Sequence, residues 1–294
     1  MTEKVELTPE LLRELQLKQL DMLVYFRDFC EKNNLTFYLI GGALIGALRN
    51  GGFVPWDDDV DVALFREDYE FFCKEAPKLL PKQFFLQNYH SNPAFPAIYS
   101  KLRDSTTTCI EESVENLHIN HGISLDIFPL DGYPINKNEQ RRLEIRKKWL
   151  ARKLSIPCIR PELWKEAIVK PLRFLGFGRH TEQTAETYTE LVSAWPVQSS
   201  NVIANHGNWQ GCLEYHKKDV YGNGSYGTFE GLTVRLPEDC DAYLRQKYGC
   251  YLQELPADKR KSHHIYLVLD TERSYTDYCN PRACDLKNKK GGKE

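Results

Sequence analysis

The stretch that most constrains this chain runs from Phe37 to Phe65, FYLIGGALIGALRNGGFVPWDDDVDVALF. Thr36 to Ile40 reads as a buried strand, which Gly41 and Gly42 turn into a short helix, Ala43 to Arg49. Glycines at such a turn let the backbone approach a ligand closely, and the helix N-terminus behind them offers unpaired N–H groups to an anion. A glycine turn at Gly51 and Gly52, then Pro55 and Trp56, lead into Asp57, Asp58, Asp59 and Asp61. The alternation predicts a strand from Asp57, with Asp57, Asp59, Asp61 and Ala63 on one face and Val60, Val62 and Leu64 on the other. Asp59 and Asp61 would then lie roughly 6.5–7 Å apart at Cα, within reach of one hard cation. Carboxylates this close repel one another unless a divalent ion neutralises them, so the stretch reads as a phosphate and metal centre.

Two plainer readings compete. A solvated acidic loop has no need to alternate with Val60, Val62 and Leu64. An EF-hand places acids at positions one, three and five, as Asp57, Asp59 and Asp61 do, but wants Gly at six and Glu at twelve, where this chain has Val62 and Asp68.

The rest of the chain supplies partners. Thr8 and Pro9 start a long amphipathic helix, Leu11 to about Glu31, which reads as packing without chemistry. Arg66 to Leu79 is a second helix, and Phe84–Leu86 and Ala97–Leu102 are further apolar stretches. Lys101 and Arg103, alternating with Leu102, are candidates for holding phosphate. Asp126 sits inside the apolar strand SLDIF; a carboxylate there is costly unless paired or on metal, so it is the natural third ligand for Asp59 and Asp61. Asp131, before Gly132, reads as a turn residue. From Asn136 basic residues crowd a helical stretch through Arg152 and Lys153, continuing with Trp164, Lys165 and Phe177. A solvated face is the plain reading, and docking to an anionic polymer or to the inner membrane surface the sharper one. Asn205–Gly231 suits a ligand-contacting loop region, a helix follows from Pro237 towards Gly249, and Ile265–Leu269 reads as a strand.

With 39 basic and 41 acidic residues, the chain carries no charge bias towards nucleic acid. Nine scattered cysteines without a CxxC pair, no signal core and no run of transmembrane length point to a reducing, cytoplasmic setting. Cys279 and Cys284 have a spacing compatible with zinc, but free thiols are the better reading. The tail KNKKGGKE has the composition of a disordered end.

GGALIGALRNGGFVPWDDDVDVALFREDYE closely resembles the signature of the LicD family, whose animal relatives include fukutin and fukutin-related protein; SLDIFPLDG and FEGLTVRLPEDCDAYLRQKYGCYLQELP also look like family blocks. The resemblance implies an α+β, nucleotidyltransferase-like mixed β-sheet flanked by helices. Here that means a catalytic core over 1–135, a basic helical insertion over 136–200 and a completing part over 201–294. It implies transfer of phosphocholine from CDP-choline to a hydroxyl of a lipopolysaccharide or teichoic acid precursor, or transfer of ribitol or glycerol phosphate from a related CDP-alcohol, or nucleotidyl transfer. Gly41 and Gly42 match the family's glycine pair, Asp59 and Asp61 its acidic pair, and Asp126 its third acid. On that reading Asp59, Asp61 and Asp126, supported by Asp57, hold Mg²⁺ (or Mn²⁺), and Asp126 takes the acceptor proton. Arg49 and Arg66 would steady the cytidine phosphate, while Trp56, Tyr38, Trp209, Tyr215, Tyr221 and Tyr226 could face a choline ammonium. A reading from a different class, a non-catalytic calcium-bound interaction protein, uses the aspartates only to stabilise a loop.

Overall fold

The computed structural model describes residues 4–159, 169–172, 174, 178, 180–208 and 210–278. Trp164, Lys165, Phe177, Trp209, Cys279, Cys284 and the Lys-Gly tail, all singled out above, lie outside these residues. Thr8 caps α1 (Pro9–Lys32) through its side chain, and Leu15, Met22, Leu23 and Phe26 bury one face of that helix against the sheet. β1 (Phe37–Ile40) passes directly into α2 (Gly41–Arg49), so the glycine pair forms the first turn of the helix rather than a linker before it. β2 (Asp61–Phe65) runs into α3 (Arg66–Glu75), followed by a single 3-10 turn at Ala76–Lys78. β3 (Phe84–Gln87), β4 (Ser100–Asp104), β5 (Thr108–Glu111) and the long β6 (Ile123–Gly132) complete the first half.

The resulting sheet has the order β1-β2-β6-β4-β3. β2 and β6 are parallel, and the other neighbours on this path are antiparallel. Past its centre β6 also pairs with β7 (Val202–Ala204), which pairs with β8 (Tyr215–Lys217), so the sheet curls to seven strands. The main core lies between the sheet, α1 and the hairpin of β9 (Ser225–Phe229) and β10 (Leu232–Leu236), each fully buried Leu, Ile or Phe contributing about 1.5–3 kcal/mol. The architecture is therefore a mixed α+β fold with a curled mixed sheet.

α4 (Lys137–Ser155), capped by Asn136, packs on α5 (Thr181–Val192) around a second core that includes Leu143, Leu150, Leu154, Tyr188 and Val192. After α6 (Lys218–Tyr221) come α7 (Cys240–Tyr248) and β11 (Tyr266–Asp270), the latter pairing with β5. α7 starts three residues after Pro237 because Asp239, not the proline, caps it by accepting from the Ala242 N–H.

Two expectations change. The strand begins at Asp61, not Asp57: its partner β1 ends where Ile40 faces Asp61 and turns into α2, leaving Asp57–Asp59 without a neighbour on that side. Val62 is wholly buried within β2, which excludes an EF-hand loop at this position. Asp131 is not a turn residue. It lies within β6, paired with Ala204 and buried.

Candidate active site

The loop before β2 is held from both ends of the chain. From α1, Gln16 donates to the Asp57 carbonyl and Gln19 to the Asp58 carbonyl, both at 2.9 Å. From the far end, Ser262 Oγ, Tyr266 OH and the His264 N–H donate to the Asp58 carboxylate, and the His263 N–H lies against its other oxygen. Burial raises the Asp58 carboxyl, but contact with His264 and the hydrogen bonds from Ser262 and Tyr266 outweigh it and hold the group below the usual carboxylate range. His264 Nδ1 lies 3.3 Å from Asp58 Oδ2, close enough to pair though not aligned as a hydrogen bond. Burial opposes charge on this ring, yet Asp58 and Glu111 raise it to about 10. Asp58 is thus the fastening of the loop.

The other acids point inward together. Asp61 on β2 sits in register with Asp126 on β6, and Asp126 with Lys101 on β4, so three adjacent strands present these side chains on one face. Gly41 and Gly42 lie over the carboxylates. A Cβ on Gly41, whose φ is +65°, would be 2.8 Å from Asp61 Oδ2, and one on Gly42 would be 2.1 Å from Asp57 Oδ2. What the missing side chains admit is therefore carboxylate, and a bound phosphate must approach over it. Burial, then repulsion from neighbouring aspartates, pushes Asp57 and Asp61 well above the ordinary range, and burial raises Asp59. Asp57 Oδ2 is buried with no hydrogen-bond partner.

That orphaned oxygen, the repelling carboxylates and the glycine cradle suit a hard divalent cation, and Asp57, Asp59, Asp61 and Asp126 have the donor chemistry for one, although no three of their oxygens lie within 4.8 Å of one another. The described group with all its ligand atoms within 4.8 Å of one another is a different one, Asp58, Asp59 and His264. Asp58 already receives its donors, and Asp59 is common to this group and to the residues that line the cavity over the carboxylates.

A cavity of about 570 Å³ opens over this cluster, lined by Gly42, Asp57, Asp59, Asp61, Arg49 and Trp56, and on its far wall by Lys247 and Tyr248 of α7. Lys247 and Tyr248, which line this cavity, and Glu214, which pairs with Lys247, are not singled out by the sequence reading. Lys247 Nζ pairs with the fully buried Glu214, and although burial opposes its charge, Tyr248, Glu214 and Asp61 raise it.

The remaining cations are engaged. Lys101 Nζ is 2.9 Å from Asp126 Oδ2. Arg103 is buried, donating to Gln87 Oε1 and to the Gly122 carbonyl, and does not line the cavity over the aspartate loop. Arg66 makes a two-pronged pair with Asp131, both contacts at 2.7 Å, away from the cavity over the carboxylates. Arg49 lines that cavity while donating to the Tyr251 carbonyl. Of the aromatic residues named for choline, Trp56 lines the cavity; Tyr38 and Tyr221 are buried in the core, Tyr215 joins Glu144 and Lys147, and Tyr226 pairs with Arg235 on the surface.

Residues 34–184, just over half of the chain, match the family described as "LicD/FKTN/FKRP, nucleotidyltransferase domain". The chain is 28% identical to the lipopolysaccharide cholinephosphotransferase LicD of Haemophilus influenzae over 271 residues, 86% of this chain and 96% of that protein. It is 25% identical to the human ribitol 5-phosphate transferase FKRP over 172 residues, 57% of this chain but 29% of that protein, and 26% identical to the mouse protein over 171 residues. The matched family segment holds both the glycine pair and the acids of β2 and β6, and on that basis the chain belongs to the LicD/FKTN/FKRP family.

Proposed function

We propose that this chain is a divalent-cation-dependent transferase, built on a nucleotidyltransferase-type core, that moves phosphocholine from CDP-choline to a hydroxyl of a cell-surface glycan precursor. The observation that carries the reading is the register Asp61–Asp126–Lys101 beneath a glycine pair with no room for a Cβ. The likeness to a cholinephosphotransferase along nearly its whole length selects choline as the first cargo. The ribitol 5-phosphate transferases make CDP-ribitol the second donor to try.

Mg²⁺ bound by Asp59, Asp61 and Asp126, with Asp57 in support, would neutralise the donor pyrophosphate. Arg49 and Lys247 face the same cavity and suit the cytidine phosphate that leaves. Trp56 lines the cavity with the Arg260 guanidinium 5.3 Å from its ring centroid, a cation position that the choline ammonium would take over. The acceptor oxygen bonds to the phosphorus of phosphocholine, the bond from that phosphorus to the cytidine phosphate oxygen breaks, and CMP departs with the electron pair. The hydroxyl proton passes to Asp126, whose Oδ2 is paired with Lys101 and whose Oδ1 accepts from Ser124.

Incubation with CDP-choline, CDP-ribitol or CTP in the presence of Mg²⁺ tests the reading. CMP release from CDP-choline, abolished by chelator, is expected. Pyrophosphate release from CTP alone would replace it with nucleotidyl transfer, and a tight Ca²⁺ complex indifferent to nucleotide would leave only a structural role for the aspartates.

α4 carries exposed Ile145 and Trp149 one turn apart, flanked by Arg141, Arg142, Arg146, Lys148 and Arg152. No described helix is long and apolar enough to cross a membrane. We infer that this stripe docks the protein at the anionic cytoplasmic surface, where a lipid-linked acceptor is presented.

A further inference from the structure

A second cavity, of about 400 Å³, is lined by Asp126 and shares Asn208 and His264 with the first. Its volume falls within the roughly 300–1,000 Å³ of small-molecule sites. One wall is Tyr99, stacked on Phe128 at 4.5 Å between centroids, and the rim is formed by Ala151 and Ser155 of α4. His206 also lines it. That ring is 5% exposed, and neither Nδ1 nor Nε2 has a hydrogen-bond partner. Leaving both nitrogens of a buried imidazole unsatisfied is costly; His216 shares that state but lines neither cavity, whereas His206 lines one in which a ligand or an ordered water can satisfy it.

From this geometry we infer that the His206 cavity is the subsite for the acceptor saccharide, with His206 and Asp126 hydrogen-bonding sugar hydroxyls against the Tyr99 face. The assignment rests on the transferase reading above. Burial, with Lys147 and Arg66 nearby, keeps His206 neutral, so the ring has one donor and one acceptor nitrogen, the pair a vicinal diol can satisfy. The cavity's cations are already committed, Lys101 to Asp126 and Arg103 to Gln87 and Gly122, which suits a neutral sugar better than a second phosphate. Donor and acceptor would then meet at the carboxylate cluster from two cavities that have Asn208 and His264 in common. Asn208 belongs to the NHGNWQG stretch, whose composition already marked it as ligand-contacting.

Saturation-transfer NMR on the intact protein with the methyl β-glycosides of glucose, galactose and N-acetylgalactosamine tests the site, with calorimetry of CDP-choline in parallel. At least one glycoside should receive magnetisation. The signal should fall about fivefold or more in His206→Ala, be largely kept in His206→Gln, which retains a donor and an acceptor, and be lost in Ala151→Trp, which fills the mouth from an exposed helix position. No signal from any of the three glycosides, or signals unchanged in both His206→Ala and Ala151→Trp, would overturn the assignment. Glycoside binding that depends on His206 without any CDP-choline binding would uphold the saccharide site while removing the transferase reading.

Discussion

Replacing one buried carboxylate by its amide separates what the acid does from what it costs. Asp61→Asn should lower CMP release from CDP-choline by about 100-fold or more, as loss of a single transition-state-stabilising group commonly does. The same change should raise the melting temperature of the cation-free protein by a few degrees, corresponding to about 1 kcal/mol, because Asp61 is raised by burial and by Asp59 and Asp126. Near-normal turnover would sink the proposed role, and a marked loss of stability would show that the carboxylate is structural. Arg66 calls for the opposite expectation. Its pairing with Asp131, 1% exposed, predicts that Asp131→Ala costs about 3–5 kcal/mol in chemical denaturation while KM for CDP-choline stays unchanged in the folded fraction. The acids could be found in the sequence because alternation with valine is visible locally. Lys247 and Glu214 could not, since a Lys on a helix and a Glu on a short turn acquire meaning only when folding buries them against each other across 33 residues of chain.

At the level of elements, capping residues and apolar spacing foretold α1, β1, α2 and β11 closely, because those signals are short-range. The start of β2 was misplaced because strand limits depend on where the neighbour ends, and β1 ends at Ile40. α1 was read as packing alone, yet Gln16 and Gln19 on its buried face hold the carbonyls of the aspartate loop, a function that periodicity counts as polar interruptions. For α4 the testable quantity is membrane affinity. The protein should sediment with vesicles containing phosphatidylserine and not with pure phosphatidylcholine, with release by salt, since each basic residue near an anionic surface contributes about 1 kcal/mol. Ile145→Glu and Trp149→Glu together should abolish sedimentation without changing CMP release. Equal binding to both kinds of vesicle, or to neither, would remove α4 as a docking element.

For the whole molecule, buried histidines set the response to acid. His121 and His216 are lowered to about 4 chiefly by burial, and His206 well below its ordinary value for the same reason. Their folded values lie below the unfolded one near 6.5, so the unfolded chain takes up protons first and stability falls as the pH drops from about 6.5 towards 4. The raised aspartates act in the opposite sense, so the clean measurement is a difference between proteins. His216 has neither nitrogen bonded and stacks on Tyr243 at 4.3 Å, which makes His216→Phe a tolerable exchange. Urea unfolding at pH 7 and pH 5 should show the variant losing about 2 kcal/mol less than the parent over that interval. An unchanged difference would mean that His216 is not held neutral. The fastening of Asp58 has a consequence for the order of folding. Its partners Ser262, His264 and Tyr266 lie 204 to 208 residues further along the chain, so the aspartate loop is closed by contacts from the far end of the sequence. During synthesis the sheet and α1 can form while that carboxylate still lacks its donors, and catalytic competence should appear as a late, slow step after most secondary structure is in place.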